Sequence, residues 1–183
     1  MSSKSIGPWQ RLSSQVIYDN AWIRLYHEEV VTPAGTAGIY GRIHFKSHAV
    51  GVIPIDDKGN TWLVKQTRYA LNKETWEIPE GGSPEGEDVL ETAKRELEEE
   101  CGLKAGRLEK LLDIHTSNSV TDEMGTVFVA RELSPGQQQL EVTEDIELRK
   151  LPLREAIAMV IRGEITDSMS VAGLLRLGIE QRE

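Results

Sequence analysis

Four glutamates crowd one short stretch of this chain, Glu96, Glu98, Glu99 and Glu100, directly after Arg95. Clustered carboxylates suit one kind of chemistry. A hard dication such as Mg²⁺ takes a few carboxylate oxygens and leaves positions for substrate phosphates, and a metal held in this way stabilises charge on phosphorus and activates water. The element that must position them is a helix. Asp88 followed three residues later by Glu91 makes a capping-box start, and Cys101-Gly102 makes a stop, so residues 89–100 read as about three turns.

Glu96, Glu99 and Glu100 lie three and four apart and share one side of that helix, whereas Glu98 points elsewhere. The placement is unfavourable for a free-standing helix. Its C-terminus already carries negative partial charge, and each like-charge pair at this spacing costs roughly 0.2–0.5 kcal/mol. Val89, Leu90, Ala93 and Leu97 form the apolar stripe, and the acidic side borders it. Spacing alone leaves two readings open: carboxylates neutralised by a dication, or a solvated acidic helix with Glu91–Arg95 and Arg95–Glu99 pairs.

The wider stretch carries more. Gly81, five residues, Glu87, seven residues, then Arg95-Glu96-Leu97-Glu98-Glu99-Glu100-Cys101-Gly102-Leu103 fills every fixed position of the signature of the Nudix hydrolases: seven identities and two bulky aliphatics over 23 residues. The chain resembles that family and, within it, the ADP-ribose and nucleoside-diphosphate-sugar pyrophosphatases. The resemblance implies an α+β Nudix fold, a mixed sheet sandwiched between helices, with an N-terminal antiparallel β extension. It implies hydrolysis of a nucleoside diphosphate sugar, such as ADP-ribose or GDP-mannose, to a nucleoside monophosphate and a sugar phosphate. It implies Mg²⁺ or Mn²⁺ as the cofactor, expected to be held by Glu96, Glu99, Glu100 and the carbonyl of Glu80, with Arg95 orienting the glutamates. A loop glutamate, Glu144 first and Glu141 second, supplies a further ligand or the general base; a solvated acidic loop is the plainer alternative for both.

Substrate contacts fall outside the signature. Arg68 ends a strand just before the Trp76-Glu77-Ile78-Pro79-Glu80-Gly81 run, and a guanidinium offers paired donors to two phosphate oxygens, the plainer alternative being a strand-end surface ion pair. Arg42 is a weaker version. Trp22 suits stacking on a nucleobase, against the alternative that it and Trp9 pack in a sheet core. Glu123 closes a polar loop, residues 115–123, in which Asn118-Ser119 stand where ADP-ribose pyrophosphatases commonly carry Pro-Gly. That departure broadens the expected sugars to the mannose of GDP-mannose.

Composition agrees with a small anionic substrate held through a cation. The chain has 183 residues, a net charge of −9 and a pI near 5.1, which argues against nucleic-acid or anionic-membrane surfaces. One cysteine, Cys101, precludes an internal disulfide. No stretch has the length or apolarity of a signal peptide or a membrane span, so a cytoplasmic protein is expected. Residues 1–45 read as strands (15–18, 22–31, 39–45) with a thin core, a segment expected to form a homodimer; residues 46–183 are the expected hydrolase domain. Within it, 49–56 and 61–69 read as a hairpin around Asp57-Lys58-Gly59-Asn60. Strands follow at 74–79, 108–114, 126–130 and 146–151, then helices at 153–162 and 168–179. Two rival readings are a Nudix enzyme acting on dinucleoside polyphosphates or nucleoside triphosphates, and a non-catalytic nucleotide-sugar-binding module.

Overall fold

The computed structural model describes residues 3–140 and 145–180. The chain forms two compact units, Met1–Ser47 with His115–Glu123, and His48–Ile114 with Met124–Glu183.

In the first unit, strands β1 (Lys4–Ile6), β2 (Trp9–Asp19), β3 (Ile23–Val31) and β4 (Ala37–Phe45) pair antiparallel in chain order. Local turn chemistry sets the register. The Asn20 side-chain oxygen accepts the N–H groups of Trp22 (2.9 Å) and Ile23 (2.8 Å), an Asx turn that competes with the strand. For that reason β3 starts at Ile23, and Trp22 stands in the turn, 71 % exposed. The core-packing reading of Trp22 is therefore corrected, whereas Trp9 is half-buried, edge-on to Tyr40. Among the described residues of this unit only Val30 and Glu28 are fully buried. Leu12, Val16, Ile17 and Ile39 stay exposed. The segment His115–Glu123 returns to β4, where Ile43 N–H donates to the Val120 carbonyl (2.8 Å) and Asp122 N–H to the Ile43 carbonyl (3.2 Å).

The second unit holds strands β5 (Ser47–Pro54), β6 (Asn60–Arg68), β7 (Lys73–Glu77) and β8 (Glu80–Pro84), then helix α1 (Val89–Cys101). Strands β9 (Leu103–His115), β10 (Met124–Pro135) and β11 (Glu147–Pro152) and helices α2 (Leu153–Ile161) and α3 (Ser168–Glu180) follow. They build two sheets, ordered β8-β5-β10-β9 and β11-β6-β7. The period of two along the central strands explains the layers. Val50 and Val52 of β5, with Phe128 and Ala130 of β10, pack with Ala93, Leu97 and Cys101 of α1. The alternate residues Ile53, Val127 and Val129 pack with Met159 of α2 and with Met169 and Leu174 of α3. Both faces are covered, so β5 and β10 read as near-continuous apolar runs and pair in parallel, Val50 opposite Thr126 and Val52 opposite Phe128. Among the described residues, no helix is long and apolar enough to cross a membrane.

One expectation fails here. The turn at residues 57–60 forms, with Asp56 N–H on the Asn60 carbonyl (3.0 Å) and Gly59 at φ +74°, but β5 and β6 do not pair as a hairpin. Strand β5 joins β10, and β6 joins β11 and β7. Alternation within a strand shows which side chains face a core; it does not show which distant strand supplies the partner.

Candidate active site

Helix α1 is capped as its sequence requires, although the Asp88 carboxylate accepts from Leu90 N–H (2.9 Å), a contact worth about 1 kcal/mol. At its other end Gly102 adopts the left-handed conformation, φ +64°, and its N–H closes on the Glu98 carbonyl (2.8 Å). Between the caps the helix buries Thr92, Ala93, Glu96, Leu97, Glu100 and Cys101. Two of the four glutamates are thus inside. Glu98 turns to Lys104 (3.2 Å). Glu99 is half-buried and takes Arg95 Nη1 at 2.9 Å, while the same nitrogen lies 2.8 Å from Glu96. Arg95 also donates to the Gly82 carbonyl (3.2 Å) and faces Glu87 at 3.5 Å. Arg95 therefore spans the start of β8, the turn after it and three glutamates. Burial, with Glu100 adding to it, pushes the Cys101 thiol far above its usual range, which makes it an inert core residue.

The crossover from β7 to β8, residues 77–81, faces the buried glutamates and is pinned at each position. Glu77, 1 % exposed, accepts from Arg68 Nε (3.0 Å to each oxygen), Arg68 Nη2 (2.5 Å), Gln66 (3.4 Å) and the Thr75 hydroxyl. Ile78 N–H donates to Ser170 Oγ of α3 (2.9 Å), and Val52 N–H donates to the Pro79 carbonyl (2.8 Å). Glu80 N–H donates to Glu100 Oε2 (3.0 Å), and the Glu80 side chain accepts from Arg68 Nη2. At Gly81 a Cβ would lie 2.0 Å from Glu96 Oε1. Only glycine lets the backbone and that carboxylate come so close.

The donor set suits a hard dication. It consists of carboxylate oxygens and a backbone carbonyl region fixed beside them. Among the described residues Glu80 Oε2 is buried with no hydrogen-bond partner, and burial, reinforced by Asp167, pushes this carboxyl well above the ordinary range although Arg68 opposes the shift. Among the described residues no three His, Cys, Asp or Glu side chains converge closely enough to cage a metal by themselves. Substrate oxygens or water complete such a sphere, as Mg²⁺ ordinarily requires.

The structure brings Arg68, Glu80, Arg95, Glu96, Glu99 and Glu100 together in the second unit. Arg68 is part-buried; burial opposes its charge, but Glu77 and Glu80 more than offset that and hold it firmly protonated. Trp22, Arg42 and Glu123 belong to the first unit. There Arg42 lies over the Tyr26 ring (4.2 Å to its centroid) and pairs with Asp122 (3.1 Å) and Glu28 (3.6 Å). It helps line a cavity of about 220 Å³ with Trp9, Arg11, Glu28 and Tyr40. Glu123 accepts from the Thr116 hydroxyl. Glu141 and Glu144 lie outside the described residues.

Sequence reasoning passed over Glu77 and Ser170. The signal for Glu77 was its setting, a carboxylate between Trp76 and Ile78 in a short strand whose alternate residues must be buried. Ser170, fully buried, carried no comparable mark.

Comparison with known proteins fits this geometry. Residues 46–168 match the model of the NUDIX domain, and residues 9–43 match the nucleoside diphosphate sugar hydrolase N-terminal domain. An ADP-ribose pyrophosphatase of Bacillus subtilis (strain 168) is 33% identical over 172 residues, 93% of this chain and 92% of the relative. One from Mycobacterium tuberculosis (strain ATCC 25618 / H37Rv) is 35% identical over 173 residues, covering 91% and 82%. A crystal structure of an ADP compounds hydrolase superposes with a TM-score of 0.86 at 21% identity, over 98% of this chain and 97% of that one, a likeness of fold. Proteins with this domain generally need a divalent metal, in keeping with oxygen donors gathered at Gly81 and α1. The helix that buries its glutamates against a glycine turn, and the match over two-thirds of the chain, have one explanation: the protein belongs to the Nudix hydrolases.

Proposed function

We infer that this protein hydrolyses the diphosphate of a nucleoside diphosphate sugar, with ADP-ribose and GDP-mannose as the foremost substrates. The observation that carries the reading is the burial of Glu96 and Glu100 against the Glu80–Gly81 backbone, joined to relatives named as ADP-ribose pyrophosphatases. Arg95 pairs with Glu96 and Glu99, and a diphosphate adds further negative charge to the same place, which a bound cation would offset. Glu96, Glu99, Glu100 and the Glu80 carbonyl would hold Mg²⁺, with Mn²⁺ as substitute. When bound, the metal supplies water activation and charge stabilisation at phosphorus.

The protein's own residues have separate tasks. Arg95 holds Glu96 and Glu99 in place. Arg68 donates through Nε and Nη2 to Glu77 and Glu80 and is the candidate to bind a phosphate. A loop carboxylate, Glu144 before Glu141, takes the proton from the attacking water. The bridging P–O bond breaks, giving a nucleoside monophosphate and a sugar phosphate. Residues 1–45 form a homodimerisation segment, which the exposed Leu12, Val16, Ile17 and Ile39 of a nearly coreless sheet support, and residues 46–183 form the hydrolase domain. Trp22, exposed in its turn, stacks on the base, while Arg42 and Glu123 are the remaining substrate-side candidates. A cytoplasmic location accords with a single, buried thiol.

Turnover measured across ADP-ribose, GDP-mannose, dinucleoside polyphosphates and nucleoside triphosphates, with Mg²⁺ and with chelator, tests the reading. Chelator-sensitive release of nucleoside monophosphate and sugar phosphate is expected for the first two. Preference for triphosphates, or activity insensitive to chelator, refutes it.

A further inference from the structure

Arg68 carries two carboxylates, and only one of them is built to stay. Glu77 is buried, with both oxygens bonded to the guanidinium and further held by Gln66 and Thr75. Glu80 has the opposite character. Among the described residues its side chain makes one hydrogen bond, from Arg68 Nη2 to Oε1, and its Oε2 is buried with no partner. Asp167, Glu77 and Glu100 stand near enough to repel it. A carboxylate with one bond, an unmet acceptor and three acidic neighbours gains by moving into water. What it covers is the second donor position of an arginine that is about one-third exposed, at 37%. A carboxylate oxygen on that edge has the charge and hydrogen-bond geometry of a phosphate oxygen.

We propose that the Glu80 carboxylate is a place-holder for a substrate phosphate oxygen on Arg68. Glu77 seats the guanidinium; Glu80 accepts from its Nη2 donor and leaves when a diphosphate arrives. The side chain of Glu80 then acts through Arg68 as a positioning residue that sets affinity for the diphosphate, a task separate from that of its backbone carbonyl. This rests on reading the site as a diphosphate site.

Two isosteric variants on the same guanidinium give opposite expectations. Glu80→Gln weakens the competing acceptor, so KM for ADP-ribose falls by about fivefold or more. Glu77→Gln loosens the seat, so KM rises by about tenfold or more. Simple support of the fold by both residues moves KM in the same direction for both. Mn²⁺ affinity of Glu80→Gln, read from the electron paramagnetic resonance of free Mn²⁺, stays at the wild-type value. Glu80→Ala repeats the sign if Glu80→Gln proves poorly folded by thermal melting. An unchanged or raised KM in the Glu80 variants overturns the proposal, as does a loss of Mn²⁺ affinity beyond about fivefold, which makes the side chain a metal ligand. If the wild-type protein fails to turn over ADP-ribose, the functional reading falls by itself. The place-holder is then judged from the calorimetric Kd of inorganic diphosphate, with the same pair of opposite signs expected.

Discussion

Replacing Gly81 by alanine adds one methyl group where β8 meets the buried face of α1. The new carbon would stand 2.0 Å from Glu96 Oε1, 2.1 Å from its carboxyl carbon and 2.5 Å from Oε2. Ordinary contact begins near 3.4 Å, so the Glu96 carboxylate must retreat by about 1.4 Å or the strand must shift. Gly81 does not use the left-handed conformation, so alanine brings no backbone strain, and the obstructing atoms end a flexible side chain. The fold therefore survives with a small loss of melting temperature. Chemistry does not, because a misplacement of roughly 1 Å in a catalytic constellation costs about a hundredfold. With ADP-ribose and saturating Mg²⁺, kcat should fall by about a hundredfold or more, and Mn²⁺ should bind more weakly by electron paramagnetic resonance. A Gly81→Ala protein with near wild-type kcat and Mn²⁺ affinity would refute the reasoning, since the position of Glu96 would then be immaterial.

Other outcomes follow from the same geometry. Glu100→Gln keeps shape and loses charge, so turnover should drop by about two orders of magnitude or more with the fold intact; near-full activity rejects Glu100 as a metal ligand. Of Glu144→Gln and Glu141→Gln, the first should lose more turnover, and no loss in either removes both from the mechanism. Burial disfavours the ionised Asp56 carboxyl, but donors from Asn60 and Lys58 and the Lys150 ammonium at 2.8 Å hold its pKa far below the ordinary value. Its stabilisation is present above about pH 4 and is lost as pH falls towards the folded-state pKa. Asp56→Asn should accordingly melt lower at neutral pH and show a smaller drop in melting temperature on acidification than wild type; an equal drop excludes Asp56 as a contributor. Sedimentation at micromolar concentration should give a dimer, with a monomeric mass counting against the N-terminal sheet as its interface.

Much of the chemistry was written locally. The spacing of Glu96, Glu99 and Glu100 and the caps Asp88 and Gly102 act within a few helical turns, where three- and four-residue periodicity translates directly into shared faces. The wider signature added Glu87 and Arg95, and the structure joins them, with Arg95 reaching across to Glu87 and the Gly82 carbonyl. The sandwich came only with the family resemblance that this signature carries; residues 49–56 and 126–130 by themselves read simply as strands. Tertiary structure decided what depends on distant partners. It separated β5 from β6 into different sheets, although the turn between them formed as its residues require. It placed Trp22 in solvent because Asn20 captured two backbone N–H groups before the strand could begin. It buried Glu77 beneath Arg68 and left Glu80 with an oxygen unmet among the described residues, two environments for one residue type three positions apart. No local spacing distinguishes those glutamates. Burial and hydrogen-bond partners arise from elements far apart in the chain, here β6, β7, α1 and α3, and these exist together only once the sheets have packed.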